Sequence, residues 1–281
     1  MTFSAIPRTL LLLAVAATAL TGCDAGQATD GLHMVDHDGH RLAFHVTAGD
    51  LPAIVLDAGG GEDSTQWTAI VAKLHAETKS QIITYDRAGV GDSEAVPGPW
   101  DPQAAAGDLE AGLHELGVTK DVLLVAHSQA GEVATYLARK NPQLISHALL
   151  VDANLPQFFT EEETARVAAA VQPQVDAAKA DPTTKANRQL LATAASYLPV
   201  HQAYHQLTWP DSIPATVIVS EKTPFDGFPE DAQRWRTAAA AFVAAGPGRS
   251  LVTAAGSSHE VPTDRPDLVI QQIETIAAAR T

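Results

Sequence analysis

Val122-Leu123-Leu124-Val125-Ala126-His127-Ser128-Gln129-Ala130-Gly131 is the stretch whose reading sets the fold class. A short run of Val and Leu has the composition of a strand buried on both faces of a parallel sheet. Glu132 to Lys140 reads as a helix, and Asn141-Pro142 stops it. A serine on a very tight strand-to-helix turn projects its hydroxyl clear of the backbone. Only small side chains two positions away, here Ala126 and Ala130, avoid collision at such a turn. The N–H groups that open the following helix point back at the serine and suit an oxyanion. Ser128 is therefore the candidate nucleophile. A serine here also reads as a plain helix N-cap, but the order of strand, sharp turn and helix favours the nucleophile.

Outward from this turn, strands and helices alternate. Ala53 to Leu56 reads as a strand entering Asp57-Ala58-Gly59-Gly60-Gly61, Trp67 to Glu77 as a helix, and Gln81 to Tyr85 as a strand. Pro102 to Leu116 carries Leu109, Leu113 and Leu116 on one helical face, and Ala148 to Val151 is a further strand. Upstream, Asp38-Gly39 marks the turn of a hairpin that begins near His33. Such alternation means an α/β fold with a mainly parallel, doubly wound sheet covered on both faces. From Glu161 to about Leu207 the alternation stops in an Ala-rich helical stretch. Strands return at Ala215 to Val219 and Leu251 to Thr253, with helices over about Glu230 to Ala245 and Asp264 to Ala279. The interruption, about 155–212, reads as a helical lid inserted into a domain over 32–281, at the edge where α/β ligand sites lie.

A serine nucleophile needs a base and an acid. Of the 11 histidines, His259 sits in Gly256-Ser257-Ser258-His259-Glu260, between the last strand and the last helix, on the rim that carries the turn at Ser128. His127 is next to the serine and cannot turn its ring onto the hydroxyl. Two carboxylates fit the order Ser, Asp, His. Asp152 ends the strand Ala148 to Val151 and leaves it in a fixed direction, so it is preferred. Asp226, in the looser Pro224-Phe225-Asp226-Gly227, is the alternative acid. The backbone N–H groups of Gln129 and Gly60 are expected to form the oxyanion hole.

Together these residues resemble the α/β-hydrolase superfamily over nearly the whole chain after its first 22 residues or so. Ala58-Gly59-Gly60 stands where that family usually has His-Gly-x, and Tyr85-Asp86-Arg87-Ala88-Gly89-Val90-Gly91-Asp92-Ser93 is similar to its Asp-Arg-x-Gly-x-Gly-x-Ser loop, with Asp86 and Arg87 expected as an ion pair. His259 followed by Asp264-Arg265-Pro266 matches the family's ending. The family's commonest acid follows the Ala215 to Val219 strand, where this chain has Ser220-Glu221-Lys222-Thr223-Pro224. Members that place the acid one strand earlier have it at the position of Asp152, so the resemblance also favours that residue. Relatives with an aspartate nucleophile, the dehalogenases and epoxide hydrolases, are disfavoured by Ser128.

The bulk properties set limits. The 281 residues are 46% hydrophobic, enough for one large core, and the formal charge of -15 repels nucleic acid. Arg8, an apolar run from Leu10 to Ala17, and Leu20-Thr21-Gly22-Cys23 read as an export signal over 1–22. Its end resembles the bacterial lipobox, which implies lipidation at Cys23, a polar tether over 23–31, and a membrane-anchored exported lipoprotein. Cys23 is the sole cysteine, so no internal disulfide forms. His33, His37, His40 and His45 straddle the expected turn, and no metal site is expected there. Phe158, Phe159, Tyr197, Tyr204 and Trp209 fit either an apolar acyl pocket or packing between lid helices. The expected activity is cofactor-free cleavage of a small carboxylic ester, thioester or lactone through an acyl-enzyme. A non-catalytic ligand-binding member of the fold is the alternative, as is perhydrolase or C–C hydrolase chemistry with the same three residues. Oligomeric state is not legible.

Overall fold

A computed structural model of the chain describes residues 28–279; the leader and Cys23 lie outside the described residues. No helix among the described residues is long and apolar enough to cross a membrane. The chain opens with a hairpin, β1 (Gly31–His37) and β2 (His40–Thr47), turned by Asp38 at φ +46° and Gly39 at φ +83°. Two successive left-handed residues are what a two-residue hairpin turn requires, and Asp-Gly supplies them.

The remaining strands are β3 (Asp50–Asp57), β4 (Ser80–Asp86), β5 (Val122–His127), β6 (Ile145–Val151), β7 (Ala215–Ser220) and β8 (Arg249–Ala254). The helices are α1 (Thr68–Thr78), α2 (Pro102–Glu115), α3 (Ala130–Lys140), α4 (Glu161–Ala180), α5 (Lys185–His205), α6 (Pro229–Ala244), α7 (Val261–Asp264) and α8 (Pro266–Ala278). One eight-stranded sheet runs β1-β2-β4-β3-β5-β6-β7-β8. Strand β2 is antiparallel to both its neighbours, and every pairing from β4 to β8 is parallel. From β3 the chain crosses to β4 on one side, whereas from β5 it crosses to β6 on the other. The carboxyl ends of β3 and β5 therefore flank the crevice in which open α/β sheets bind ligands.

Burial follows the strand alternation. Leu124, Ala126, Ala148 and Leu150 face a core shared with α2, α3 and α6. Their neighbours Leu123, Val125, Leu149 and Val151 face a second core under α1 and α8. Both faces are apolar because helices cover both.

The helix read over Asp264 to Ala279 is α8, which begins two residues later, at Pro266. Arg265 has φ -135° and ψ 54°, since the ring of Pro266 disfavours helical geometry in the residue before it. Between β6 and β7 stand α4 and α5, capped by the hydroxyls of Thr160 and Thr184. Phe158, Phe159, Tyr204 and Trp209 are buried. Phe158 meets Trp235 at 4.9 Å, Phe159 meets His201 at 4.1 Å, and the half-buried Tyr197 lies over the same imidazole at 4.1 Å.

Close approach of α2 to the sheet explains a glycine inside a helix. A Cβ on Gly112 would sit 1.9 Å from the ring of Phe44. Helix propensity alone would make Gly112→Ala stabilising by about 1 kcal/mol. The expected result is instead a loss of about 1–3 kcal/mol from overpacking, read as a lower urea midpoint at unchanged m-value.

Candidate active site

Strand β5 delivers Ser128 to the turn before α3 with φ +53°, a left-handed conformation uncommon outside glycine. Its N–H donates to Val151 O at 3.2 Å, and its carbonyl accepts from Gly131 N at 3.0 Å and Asn154 N at 2.8 Å. Ala126 and Ala130 are fully buried, and a Cβ on Gly131 would lie 2.3 Å from Asn154 O. The small residues are needed because the start of the β6–α4 loop presses directly on the turn.

Three distant side chains meet over Ser128. The serine Oγ–H donates to His259 Nε2 at 2.9 Å, and His259 Nδ1–H donates to Asp152 Oδ2 at 2.7 Å. Asp152, 1% exposed, also accepts from Trp235 Nε1 at 2.9 Å, Ser220 N at 3.0 Å and Ser220 Oγ at 2.6 Å. Burial alone would raise this carboxyl. The hydrogen bond and charge of His259, with the two Ser220 donors, outweigh it and hold the group below the usual carboxylate range. Asp226 is exposed in the β7–α6 loop and is not among the partners of His259.

The loop carrying His259 is pinned from two sides. His127 Nε2–H donates to His259 O at 3.0 Å, and Asp264 Oδ2 accepts from Ser258 N at 2.8 Å and Ser258 Oγ at 2.7 Å. His127 is thus a support for the loop, and its Nδ1 is buried with no partner among the described residues.

After β3, the glycine loop lies against the turn at Ser128. A Cβ on Gly59 would be 2.9 Å from His127 Nδ1, and one on Gly60 would be 2.7 Å from Gln129 Oε1. Among the described residues, neither Gln129 N–H nor Gly60 N–H has an acceptor. Both lie on the loops that meet at the Ser128 turn.

Asp86 and Arg87 are not paired with each other, contrary to the sequence reading. Asp86 accepts from His45 Nε2 at 3.2 Å, Ser64 N at 2.8 Å and Asp92 N at 2.8 Å; its carboxyl is lowered to about 2 by these bonds against the opposing effect of burial. Arg87 instead bonds the buried Asp57 and the carbonyls of Ala58 and Gly59. Successive residues leaving a strand point to opposite sides, so the two side chains diverge.

Among the four N-terminal histidines, His33 bonds Thr29 O, His37 and His40 share Asp108, and His45 pairs with Asp86. His45, Asp86 and Asp92 bring ligand-type atoms within 4.8 Å of one another, but Asp86 is already occupied by the three donors above. A cleft of about 410 Å³ opens beside the free N–H groups, walled by Gly60, Gly61, Glu62 and Gln129 on one side and by Ala186, Gln189, Leu190 and Thr193 on the other. Burial, reinforced by Glu260 and Asp63, raises the Glu62 carboxyl at its edge. Trp235, Ser220 and Asp57 escaped the sequence reading. No spacing signals them, because each acts through a contact between elements far apart in the chain.

Residues 54–272 match the Alpha/beta hydrolase family, and the chain belongs to it. An uncharacterized protein of Mycobacterium bovis is 36% identical over 115 residues, which are 41% of this chain and 33% of that protein. The sn-1-specific diacylglycerol lipase of Mus musculus is 30% identical over 142 residues, 50% of this chain and 44% of the lipase. The chain thus matches about a third to under half the length of these curated relatives. A thermophilic esterase from Thermogutta terrifontis superposes with a TM-score of 0.58 at 23% identity, covering 88% of this chain and 97% of the esterase, and shares the fold.

His127 gives the site a measurable acid sensitivity. Burial, and then the facing His259, lower its pKa from 6.5 to about 3. Between those values the unfolded chain carries a proton at this residue that the folded chain does not, so stability falls as pH falls through the window. Urea midpoints at pH 7 and pH 4 should therefore drop more in the wild type than in His127→Gln. Equal drops would show that His127 is not the source.

Proposed function

We propose that the protein is a serine hydrolase that cleaves a small carboxylic ester, thioester or lactone through an acyl-enzyme intermediate. The observation that carries this reading is the continuous chain from Ser128 Oγ through His259 to Asp152, at 2.9 and 2.7 Å, beside two unpaired backbone donors. Ser128 attacks the substrate carbonyl while His259 Nε2 takes its proton. Asp152 keeps the imidazole in the tautomer that accepts at Nε2 and stabilises the imidazolium that forms. The developing oxyanion receives the N–H groups of Gln129 and Gly60. His259 returns the proton to the leaving oxygen or sulfur, and a water molecule repeats the sequence to release the acid.

The cleft of about 410 Å³ has the size of a small-molecule site, and Gln129, Gln189, Thr193 and Glu62 set polar groups into a lining that is otherwise apolar. The diacylglycerol lipase and esterase activities of the two named relatives agree with acyl-transfer chemistry. The left-handed backbone at Ser128 weighs against a purely binding role, since such strain persists where the surrounding structure over-determines it and clusters at active sites. The leader and lipobox add that this chemistry takes place on an exported, lipid-anchored protein, joined to the membrane through Cys23.

Incubation with a fluorophosphonate should label Ser128 in the wild type and not in Ser128→Ala; an unlabelled wild type would defeat the enzyme reading. On a p-nitrophenyl ester, Asp152→Asn should lose about 10²–10⁴ in kcat, while Asp226→Asn should stay within about twofold. The reverse ranking would move the acid to Asp226. Separately, wild-type protein expressed in a bacterium should partition into detergent, and Cys23→Ala should release it to the aqueous phase. An aqueous wild type would exclude the anchor.

A further inference from the structure

Three consecutive glycines after β3 give the oxyanion loop wide conformational freedom, yet a useful hole needs one orientation of one peptide. In the trans peptide joining Gly59 to Gly60, the C=O and N–H point in opposite directions. Whatever grips Gly59 O therefore also aims Gly60 N–H. The grip comes from Arg87: its Nη2 bonds Gly59 O, and its Nη1 bonds Ala58 O at 2.5 Å and Asp57 Oδ1.

The guanidinium is itself fixed. Asp57 is 1% and Arg87 5% exposed, Tyr85 Oη–H donates to Asp57 Oδ2 at 3.1 Å, and the Arg87 guanidinium carbon lies 5.9 Å from the centre of the Trp100 ring. Gly59 N–H donates to Gln66 Oε1 at 3.0 Å and so is not available to an oxyanion, and Glu62 N–H closes the turn onto Gly59 O at 3.3 Å. A flip of the Gly59–Gly60 peptide would put a carbonyl where the oxyanion must form. It would also strand a guanidinium donor in the core, which is costly.

We propose that Arg87, anchored by Asp57, is a positioning residue of the oxyanion hole, holding the Gly59 carbonyl so that Gly60 N–H faces the tetrahedral intermediate. The proposal rests on the serine-hydrolase reading above. It also accounts for Arg rather than Lys: the planar fork spans two carbonyls and a carboxylate at once, which a single ammonium on a flexible stem does not.

The full chain of wild type, Arg87→Lys and Tyr85→Phe would be compared on one p-nitrophenyl ester, with active sites counted by fluorophosphonate titration. The affinity of an alkyl trifluoromethyl ketone, whose tetrahedral adduct places an oxyanion in the hole, is the second readout. In Arg87→Lys, kcat per titrated site should fall about 10–100-fold with KM within about threefold, and ketone affinity should fall by the same factor. The pH profile of kcat/KM should keep its shape, because His259 and Asp152 are untouched. A purely structural role would lower the number of titrated sites and leave kcat per site and ketone affinity alone. That result would overturn the proposal. If Arg87→Lys does not fold, Tyr85→Phe, which loses a single bond to Asp57, should show the same paired shift at about 2–5-fold; no shift in either readout overturns the proposal equally. A wild type that neither hydrolyses esters nor takes the fluorophosphonate is a different failure, that of the serine-hydrolase reading, and the role of Arg87 falls with it.

Discussion

The backbone turn at Ser128 is the constraint on which the site is built. A left-handed serine stores about 1–3 kcal/mol of strain, and it persists because its neighbours leave it no alternative. Its amide is tied to the end of β6, and its carbonyl is tied to both the first turn of α3 and the chain after Asp152. One bend thus joins Ser128, the N-terminus of α3 and the loop that begins at Asp152. The buried alanines on either side and the absence of a side chain at Gly131 are conditions for that joint to close.

Around the bend, the protein buries carboxylates and satisfies each of them with several donors. Asp152 has His259, Trp235 and Ser220; Asp57 has Arg87 and Tyr85. Glu132, fully buried on α3, has Trp100 at 3.2 Å, Asn154 at 2.6 Å and His201 of α5 at 3.2 Å. An unpaired charge in such surroundings would be strongly destabilising, so each carboxylate fixes the groups that serve it. The first holds His259, the second Arg87, and the third ties α5 to α3. Preorganisation here is a consequence of burying charge that must be neutralised.

Much of the fold was readable because it is encoded locally. Alternating apolar strands and helices, Asp38-Gly39 and the small residues around Ser128 each have a meaning set by their immediate neighbours in the chain. The last helix was read as starting at Asp264, two residues early, because the ring of Pro266 takes Arg265 out of helical geometry. The partnership assumed between Asp86 and Arg87 failed for a related reason. Adjacency in sequence argued for a pair, while the strand geometry sent one side chain to Ser64 and His45 and the other beneath the glycine loop.

By itself the sequence determined the alternation of elements, the tight turn at Ser128, and the set of strand-end loops that carry Ser128, Asp152 and His259. Only the tertiary structure decided which carboxylate reaches His259 and that Phe158, Phe159, Tyr204 and Trp209 are buried. It also decided that Trp235, Ser220, Asp57 and Arg87 hold the site in shape. The division has one physical cause. Periodicity and turn chemistry act between residues a few positions apart, whereas hydrogen bonds to a buried charge are made by whatever the packed sheet brings within 3 Å or so, here across 68 to 131 positions of chain.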